Sequence, residues 1–415
     1  MRFLSVGLMC LGAWGAGGAE AQWPEDPEGR AVFVEAQKRV TAWHAETEGA
    51  VSNVIRVVYF HGSDQEPLAD WNARGQRILA DVDAFYGDGF KRLGGTQSGL
   101  PFERIGDRYV IHQVGGKKEA KEYTHESGNE TYREISEAVN VTFDVRREHV
   151  LVLHGLCQKE ADGKYVFHAP YYGRGSHRSG ICHAADCEVL DPQNLSKADE
   201  EIVYAEHYYA RKEQKLSLFN TWYLGGIAHE LGHGLGLPHD AGRRWEQTWS
   251  RTSLMGLGNH HYRSDRWGGK TPSFLSLASA VWLASNPVIT QSNRGRWDAA
   301  KGQFAEVAIA AGAKREVKVS GSVNGAIPAY AAIGYFWRPR EWPGNPGADH
   351  DSLSVPVLVD PEGRFSFSAT GLRSGDYRLR LVGLHLNGEA TKTDYHVVLD
   401  RRGQLTSEPM VRRRR

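Results

Sequence analysis

Hydrophobic residues in the first half of the chain recur at two different spacings. Some stretches place apolar residues every three or four positions, as an amphipathic helix does, and others collect β-branched and aromatic residues in short runs, as a strand does. The helical stretches are residues 27–47, 68–85 and 129–139, and the strand-like runs are residues 53–60, 108–114 and 150–154. Strands that alternate with helices form α/β layers with a largely parallel sheet, which is the fold class predicted for this part of the chain.

After Asn286-Pro287 the pattern changes to short β-rich runs separated by glycine, proline and asparagine. These runs are residues 316–323, 329–337, 354–359, 364–368, 377–385 and 394–399. Short strands with turn residues between them predict an antiparallel β-sandwich. Residues 163–187, by contrast, have no period and are rich in glycine, tyrosine and histidine, so they predict a long loop that lines a functional surface.

The two ends of the chain differ from the rest in amino-acid composition. Arg2, an apolar stretch over residues 3–14 and the small residues of Ala19-Glu20-Ala21 predict a cleaved signal peptide over residues 1–21, which makes the mature protein secreted or periplasmic. The alternative for this stretch is a buried N-terminal helix. Arg412-Arg413-Arg414-Arg415 predicts a solvated basic tail, with binding to a polyanion as the alternative.

Length and composition narrow the class of protein. A chain of 415 residues exceeds the usual size of one domain, and 40% apolar residues are enough to form buried cores. We expect an α/β domain over residues 22–306, a β-sandwich domain over residues 307–402 and a basic tail over residues 403–415. Fifty basic and fifty acidic side chains give no net charge that would attract nucleic acid. No segment after the predicted signal peptide is apolar enough to span a membrane. The sequence leaves the oligomeric state open, and a monomer is the working expectation.

Removal of the signal peptide leaves three cysteines, Cys157, Cys182 and Cys187. Cys182 and Cys187 are close enough in sequence to close a small disulfide loop, and free thiols are the alternative. The spacing Cys-His-x3-Cys around His183 does not match a zinc site.

The segment with the clearest chemistry is LFNTWYLGGIAHELGHGLGLPHD, residues 218–240. His229 and His233 are four residues apart, so on a helix over residues 222–235 both imidazoles project from one face and can bind one ion. Single histidines on a helix are more often solvated or hydrogen-bonded than bound to metal. The spacing nevertheless predicts a metal site, because two further features of the segment complete it.

The first of these features is a third ligand. A catalytic zinc ion takes three protein ligands and keeps one position open, and His239 is placed to be the third. A helix that continued past His233 would carry His239 away from the ion. Gly236 can adopt a positive φ, which ends the helix and turns the chain back toward the metal.

The second feature is Glu230, which lies beside His229, where a water molecule activated by the metal would be. In this position a carboxylate takes the proton of the water and passes it to the leaving amine. With 18 histidines and 47 glycines in the chain, independent composition gives such a full match by chance roughly once in several thousand trials. The segment therefore predicts a zinc hydrolase with Glu230 as its catalytic base.

The pattern His-Glu-x-x-His-x-x-Gly-x-x-His resembles that of the metzincin zinc endopeptidases, whose further mark is a methionine turn. Ser253-Leu254-Met255-Gly256 fits this turn. The resemblance implies that Met255 forms a hydrophobic floor under the ligands and coordinates nothing. Some metzincins have a tyrosine two residues after the methionine as an extra ligand, but this chain has Leu257 there, and its next tyrosine, Tyr262, is out of position.

Further segments are similar to those of the bacterial O-glycopeptidases of mucin degraders. They are residues 57–67 (VVYFHGSDQEP), 85–87 (FYG), 222–226 (WYLGG), 254–259 (LMGLGN) and 271–275 (TPSFL). The likeness covers most of residues 54–285 and is weak in residues 163–187 and beyond Asn286. It implies a metzincin-like zinc protease domain and a secreted hydrolase that cuts peptide bonds just before a serine or threonine carrying a mucin-type O-glycan.

Recognition of a sugar needs aromatic faces and polar groups beside the cleft. The best candidates are Tyr171, Tyr172 and Arg174, followed by Tyr123 and His125. The alternative for each is ordinary packing or exposure at the surface.

Three functions remain open on the sequence. The first is an endopeptidase that depends on O-glycosylated protein substrates, and the second is a zinc endopeptidase for unmodified peptides. The third is a glycan-binding protein whose metal site is vestigial, although the presence of Glu230 counts against it.

Overall fold

The computed structural model describes residues 25–46, 52–207, 209–249, 252–269, 271–339, 341–342, 345–346, 349–406 and 410–411. The predicted signal peptide and the four terminal arginines lie outside these residues. Within the described ranges, the search for a helix with both the length and the apolar character of a membrane span finds none.

Seven α-helices lie within the described residues. They are α1 (Pro27–His44), α2 (Trp71–Arg92), α3 (Gly128–Val139), α4 (Leu216–Gly234), α5 (Arg244–Trp249), α6 (Leu277–Leu283) and α7 (Pro287–Thr290). The helices predicted over residues 27–47 and 129–139 are confirmed as α1 and α3. The helix predicted over residues 68–85 extends to Arg92, because Tyr86 and Phe90 continue its buried face.

The first eleven strands lie before α4. They are β1 (Ile55–His61), β2 (Arg104–Ile105), β3 (Arg108–Tyr109), β4 (Ile111–Gly115), β5 (His149–His154), β6 (Cys157–Lys159), β7 (Tyr165–Phe167), β8 (Tyr172–Gly175), β9 (Gly180–Ala185), β10 (Glu201–Glu206) and β11 (Tyr209–Lys215). The main sheet has the order β4-β1-β5-β9-β8. Its first four strands are parallel, as predicted, and the edge strand β8 runs antiparallel to β9.

The prediction of a long loop over residues 163–187 is wrong. This stretch contains β7, β8 and β9, and β9 is an interior strand of the main sheet. Five of the six residues of β9 are buried, so the strand has no alternation of apolar and polar positions by which it could be recognised. The stretch does line the functional region, as described below.

The C-terminal region, residues 303–411, consists of antiparallel strands. They are β12 (Gln303–Ala311), β13 (Val317–Asn324), β14 (Ala329–Trp337), β15 (Glu341–Trp342), β16 (Asn345–Pro346), β17 (Leu353–Leu358), β18 (Arg364–Ala369), β19 (Gly375–His385), β20 (Ala390–Leu399) and β21 (Met410–Val411). One sheet has the order β12-β13-β18 and a second has the order β17-β14-β19-β20-β21. All six strands predicted here are present. The strand β12 was not predicted, and it crosses the expected boundary between residues 306 and 307.

The five-stranded sheet of the C-terminal region is buried on both faces. Phe336 of β14 and Leu379 of β19 join Phe367 of the three-stranded sheet in one apolar cluster. On the opposite face, Ile333 and Tyr335 of β14 belong to the large core of the preceding α/β part. The two parts of the chain therefore share a continuous apolar contact, and residues of the C-terminal region come close to α4.

The three cysteines of the described chain, Cys157, Cys182 and Cys187, are all buried and all free. The small disulfide loop between Cys182 and Cys187 that the spacing allowed is not formed, and the free-thiol alternative holds.

Candidate metal centre

The helix α4 carries the centre of the site, and the edge of the main sheet lies directly on it. At Gly173 of β8 an added Cβ would overlap the carbonyl oxygen of Glu230, and at Gly175 it would overlap that of Gly234. Only glycine permits this approach of strand backbone to helix backbone. The glycines that made these strands hard to recognise in the sequence are therefore what allows β8 to lie against α4.

The three histidines of the sequence motif are close together. The Nε2 atoms of His233 and His239 are 3.1 Å apart. The ring centroids of His229 and His233 are 4.8 Å apart, and those of His229 and His239 are 5.5 Å apart. His229 is buried, and His233 and His239 are half-buried. The imidazoles thus form a cluster at the end of α4 that is reached from one side.

Each imidazole also has its Nδ1 atom within hydrogen-bond distance of an oxygen atom. The pairs are His229 with the Leu254 carbonyl at 2.7 Å, His233 with the Leu237 carbonyl at 2.8 Å, and His239 with Asp349 Oδ1 at 2.6 Å. A ring that donates from Nδ1 keeps its Nε2 lone pair free for a metal, and metal-binding histidines in proteins are almost always held in this way. The residues present therefore fit a divalent metal ion.

The turn after α4 explains how His239 returns to the cluster. Gly236 has φ of +93°, in the left-handed region that favours glycine. The amide of Gly236 donates to the His233 carbonyl at 2.9 Å, and the amide of Leu237 donates to the Gly232 carbonyl at 3.0 Å. These two bonds are those of a Schellman motif, which ends a helix and reverses the chain.

The predicted methionine turn lies against the same helix. Met255 is buried, and its sulfur occupies the place that a Cβ on Gly232 would need. The carbonyl of Leu254 accepts from His229, and the carbonyl of Met255 accepts from the Asp240 amide at 3.0 Å. The methionine turn is thus hydrogen-bonded both to His229, the first histidine of the motif, and to Asp240, which follows His239.

Two residues of the C-terminal region complete the cluster and were missed by sequence analysis. Asp349 binds His239, and the imidazole of His350 stacks on that of His239 with 3.7 Å between ring centroids. His229, His239 and His350 each offer an atom within 4.8 Å of the others, so this group could hold a metal ion. The sequence Asp349-His350-Asp351 was the available signal, but no spacing rule connects it to a motif more than 100 residues earlier.

Glu230 lies at the junction of α4 and β8. Its Oε2 atom accepts a hydrogen bond from the Gly173 amide at 2.7 Å. Burial raises the pKa of Glu230 to about 7, although the hydrogen bond from Gly173 opposes this effect. A carboxylate with a pKa near neutrality is well suited to accept a proton and return it.

Two neighbouring groups have structural roles. The hydroxyl of Tyr262 is buried and donates to Asp81 Oδ2 at 2.6 Å, so it does not reach the cluster of imidazoles. Asp240 is also fully buried, where it accepts from the Gly242 amide at 2.7 Å and from the Ser276 hydroxyl. Asp240 therefore orders the turn after His239.

Four of the five predicted substrate residues line one cavity of about 420 Å³. They are Tyr123, His125, Tyr171 and Tyr172, and the cavity is completed by groups that include Phe167, His168, Glu206 and His207. Arg174 does not line it and instead donates to Asn129 Oδ1 at 2.9 Å in an exposed position.

The four cavity residues differ in what they can offer to a ligand. The hydroxyl of Tyr123 donates to Glu134 at 2.8 Å, and its ring is fully buried. The hydroxyl of Tyr171 donates to the Tyr223 carbonyl at 2.7 Å. His125 stacks on His207, with 3.2 Å between ring centroids. Tyr172 is half-buried, and its ring packs against the imidazole of His183 with 4.9 Å between ring centroids.

Solved structures share this fold over most of the chain, and those described here are crystal structures of one enzyme whose substrate is an O-glycopeptide. The enzyme is OgpA from Akkermansia muciniphila. Its catalytically inactive form in complex with an O-glycopeptide, glycodrosocin, has a TM-score of 0.69 and 23% identity, with 85% of this chain and 94% of that chain covered. A wild-type OgpA structure has a TM-score of 0.69 and 24% identity, with 88% and 97% covered.

These likenesses establish a shared fold. The resemblance to O-glycopeptidases that the sequence motifs predicted is confirmed at this level. The sequence matches no model of a protein family and no curated protein.

Proposed function

We propose that this protein is a zinc-dependent metalloendopeptidase of the metzincin type, in which His229, His233 and His239 bind the metal and Glu230 is the catalytic base. The observation that carries the proposal is the convergence of three imidazoles, each held by an oxygen at Nδ1, at the end of a helix that also carries the half-buried carboxylate of Glu230. The domain predicted over residues 22–306 would contain these four residues, and the predicted signal peptide makes the enzyme secreted or periplasmic.

The bound zinc ion would polarise the scissile carbonyl and make water more acidic. Glu230 would take the proton of this water and deliver it to the leaving amine. The Gly173 amide would hold the carboxylate in place, since it donates to Glu230 Oε2. Met255 would support the helix from below and bind nothing.

We further propose that the substrates are proteins carrying mucin-type O-glycans, cut on the N-terminal side of the modified serine or threonine. The fold is shared with OgpA, whose inactive form is solved with an O-glycopeptide substrate. In this chain a cavity rich in tyrosine and histidine supplies the aromatic faces and polar groups that recognition of a sugar requires, and two of its residues, Tyr171 and Tyr172, directly precede Gly173, whose amide donates to Glu230.

Substitution of Glu230 tests the catalytic assignment. Glu230→Ala is expected to keep about one zinc ion per chain and to lose turnover by several orders of magnitude, because the base is removed and the three histidines remain. Zinc content is measured by elemental analysis and turnover by mass spectrometry of peptide products. Loss of zinc with a native circular dichroism spectrum would show that Glu230 serves the metal, and the assigned role would be wrong.

A matched pair of peptides tests the substrate. A glycopeptide with one core O-linked sugar should be cut before the modified residue, and the same peptide without the sugar should survive, because polar groups built for a sugar stay unpaired when it is missing. Tyr172→Ala should reduce cleavage of the glycopeptide, whereas the control Tyr172→Phe should retain it because the ring is kept. Equal cleavage of both peptides would favour an endopeptidase for unmodified substrates.

A further inference from the structure

A fourth imidazole reaches the metal centre from the C-terminal region. The ring centroid of His350 is 3.7 Å from that of His239 and 6.4 Å from that of His229. One ligand atom of each of these three residues lies within 4.8 Å of the others. His350 is half-buried, as His233 and His239 are.

The distances are close to those of a shared metal ion. Two nitrogen atoms that each bind zinc at about 2.0–2.1 Å are at most about 4 Å apart. A movement of about 1 Å by the His350 ring would therefore bring its nitrogen into the coordination sphere. No other residue of the C-terminal region belongs to this group of ligand atoms among the described residues.

The rings of this cluster differ in how firmly they are fixed. The Nδ1 atoms of His229, His233 and His239 are each bonded to an oxygen, as described above. Within the described part of the chain, no side-chain hydrogen bond holds the His350 ring. The adjoining backbone is fixed, since the Ser352 amide donates to the Asp349 carbonyl at 3.0 Å and the Ala241 amide donates to the Ser352 carbonyl at 2.8 Å.

We propose that His350 is a fourth, displaceable ligand that closes the open position of the metal in the substrate-free protein. The inference rests on the proposed zinc site. Three fixed imidazoles hold the ion, and the fourth turns away by side-chain rotation when a substrate carbonyl enters. The coordination position that a catalytic zinc ion keeps open for its substrate is thus covered by His350, a residue of the C-terminal region.

Two affinities measured on His350→Ala test this proposal. Zinc affinity, from competition with a chelator, should fall at least about tenfold, as it does when a group that supports a metal is lost. Acetohydroxamate, followed by the visible absorption of the cobalt(II)-substituted protein, should bind about tenfold tighter, because no protein group has to be displaced first. His350→Gln repeats both measurements with a side chain closer in size.

The control is His396→Ala, which removes a partly exposed histidine of the same region and should change neither affinity. Opposite shifts of the two affinities in the His350 variants support the proposal. Unchanged affinities would overturn it, and so would a loss of both, because that result describes a general disturbance of the site.

Failure of the zinc site itself gives a different result. In that case the wild-type protein would bind neither zinc nor cobalt(II) tightly, and His229→Ala would behave like wild type. Tight binding that depends on His229 but not on His350 would overturn the present inference alone.

Discussion

Asp349 lies outside the sequence motif, and its carboxylate orients the imidazole of His239, which lies within the motif. Burial alone would raise the pKa of Asp349, but the hydrogen bond with His239 opposes this effect, and on balance the pKa is lowered. The carboxylate therefore stays ionised and accepts the Nδ1 proton of His239, which leaves the Nε2 atom of that ring free. A carboxylate behind a metal-binding histidine also makes the imidazole a stronger ligand.

We predict that Asp349→Asn lowers zinc affinity by about 10- to 100-fold, because an amide neither fixes the ring as well nor increases its basicity. Competition with a chelator measures the effect. The control is Asp360→Asn, which changes a surface carboxylate of the same region that pairs with Arg364. Equal zinc affinities of wild type and Asp349→Asn would mean that the hydrogen bond has no part in metal binding.

The sequence contains enough information to find His229, Glu230, His233 and His239, because their spacing along a helix and a turn is fixed by local geometry. It does not reveal Asp349 and His350. These two reach the cluster through the packing of the five-stranded sheet on the α/β part, and no local pattern records a contact over 110 positions.

At the scale of the elements, the turn after α4 decides where the third histidine lies. Gly236 combines a positive φ with close packing, since an added Cβ would be 3.2 Å from the Ser176 Cα atom. The strands β8 and β9 were missed for a related reason. Their glycines and small buried residues suit close contact with α4 and carry little of the β-branched, alternating pattern that identifies a strand.

We predict that Gly236→Val destabilises the fold and also weakens zinc binding, because a β-branched residue resists positive φ and would displace His239. The matched control is Gly163→Val, at a glycine that also has positive φ but has no atom within 4 Å of an added Cβ. Both variants should lose about 1–2 kcal/mol of stability in chemical denaturation. Zinc affinity should fall only for Gly236→Val, and an equal fall in both would refute a specific role for this turn.

At the scale of the whole molecule, stability depends on histidines that are buried without charge. Burial lowers the pKa of His149 from its ordinary value of 6.5 to about 4, and that of His183 to about 3. As the pH falls below 6.5 the unfolded chain takes up these protons before the folded one does. The stabilisation present above pH 6.5 is therefore lost as the pH falls toward 4.

We predict that the free energy of unfolding, measured by chemical denaturation, declines between pH 6.5 and 4. Each such histidine adds a slope of up to about 1.4 kcal/mol per pH unit. His149→Gln should make this decline shallower by the contribution of one titrating histidine. This change in slope is expected whatever the effect of the substitution on the free energy of unfolding at pH 7.5. The control is His396→Gln, at a histidine that is partly exposed. A slope unchanged by His149→Gln would show that His149 does not titrate differently in the two states.

The hydrogen bond between His239 and Asp349 joins two residues that are synthesised at different times. The ribosome makes the chain from its N-terminus, so the histidines of α4 leave the exit tunnel long before their carboxylate partner, which lies 110 positions further on. A nascent or prematurely terminated chain that ends before residue 349 has the motif but lacks both Asp349 and His350. The group of side chains around His239 can therefore be complete only after residues 349 and 350 have left the ribosome.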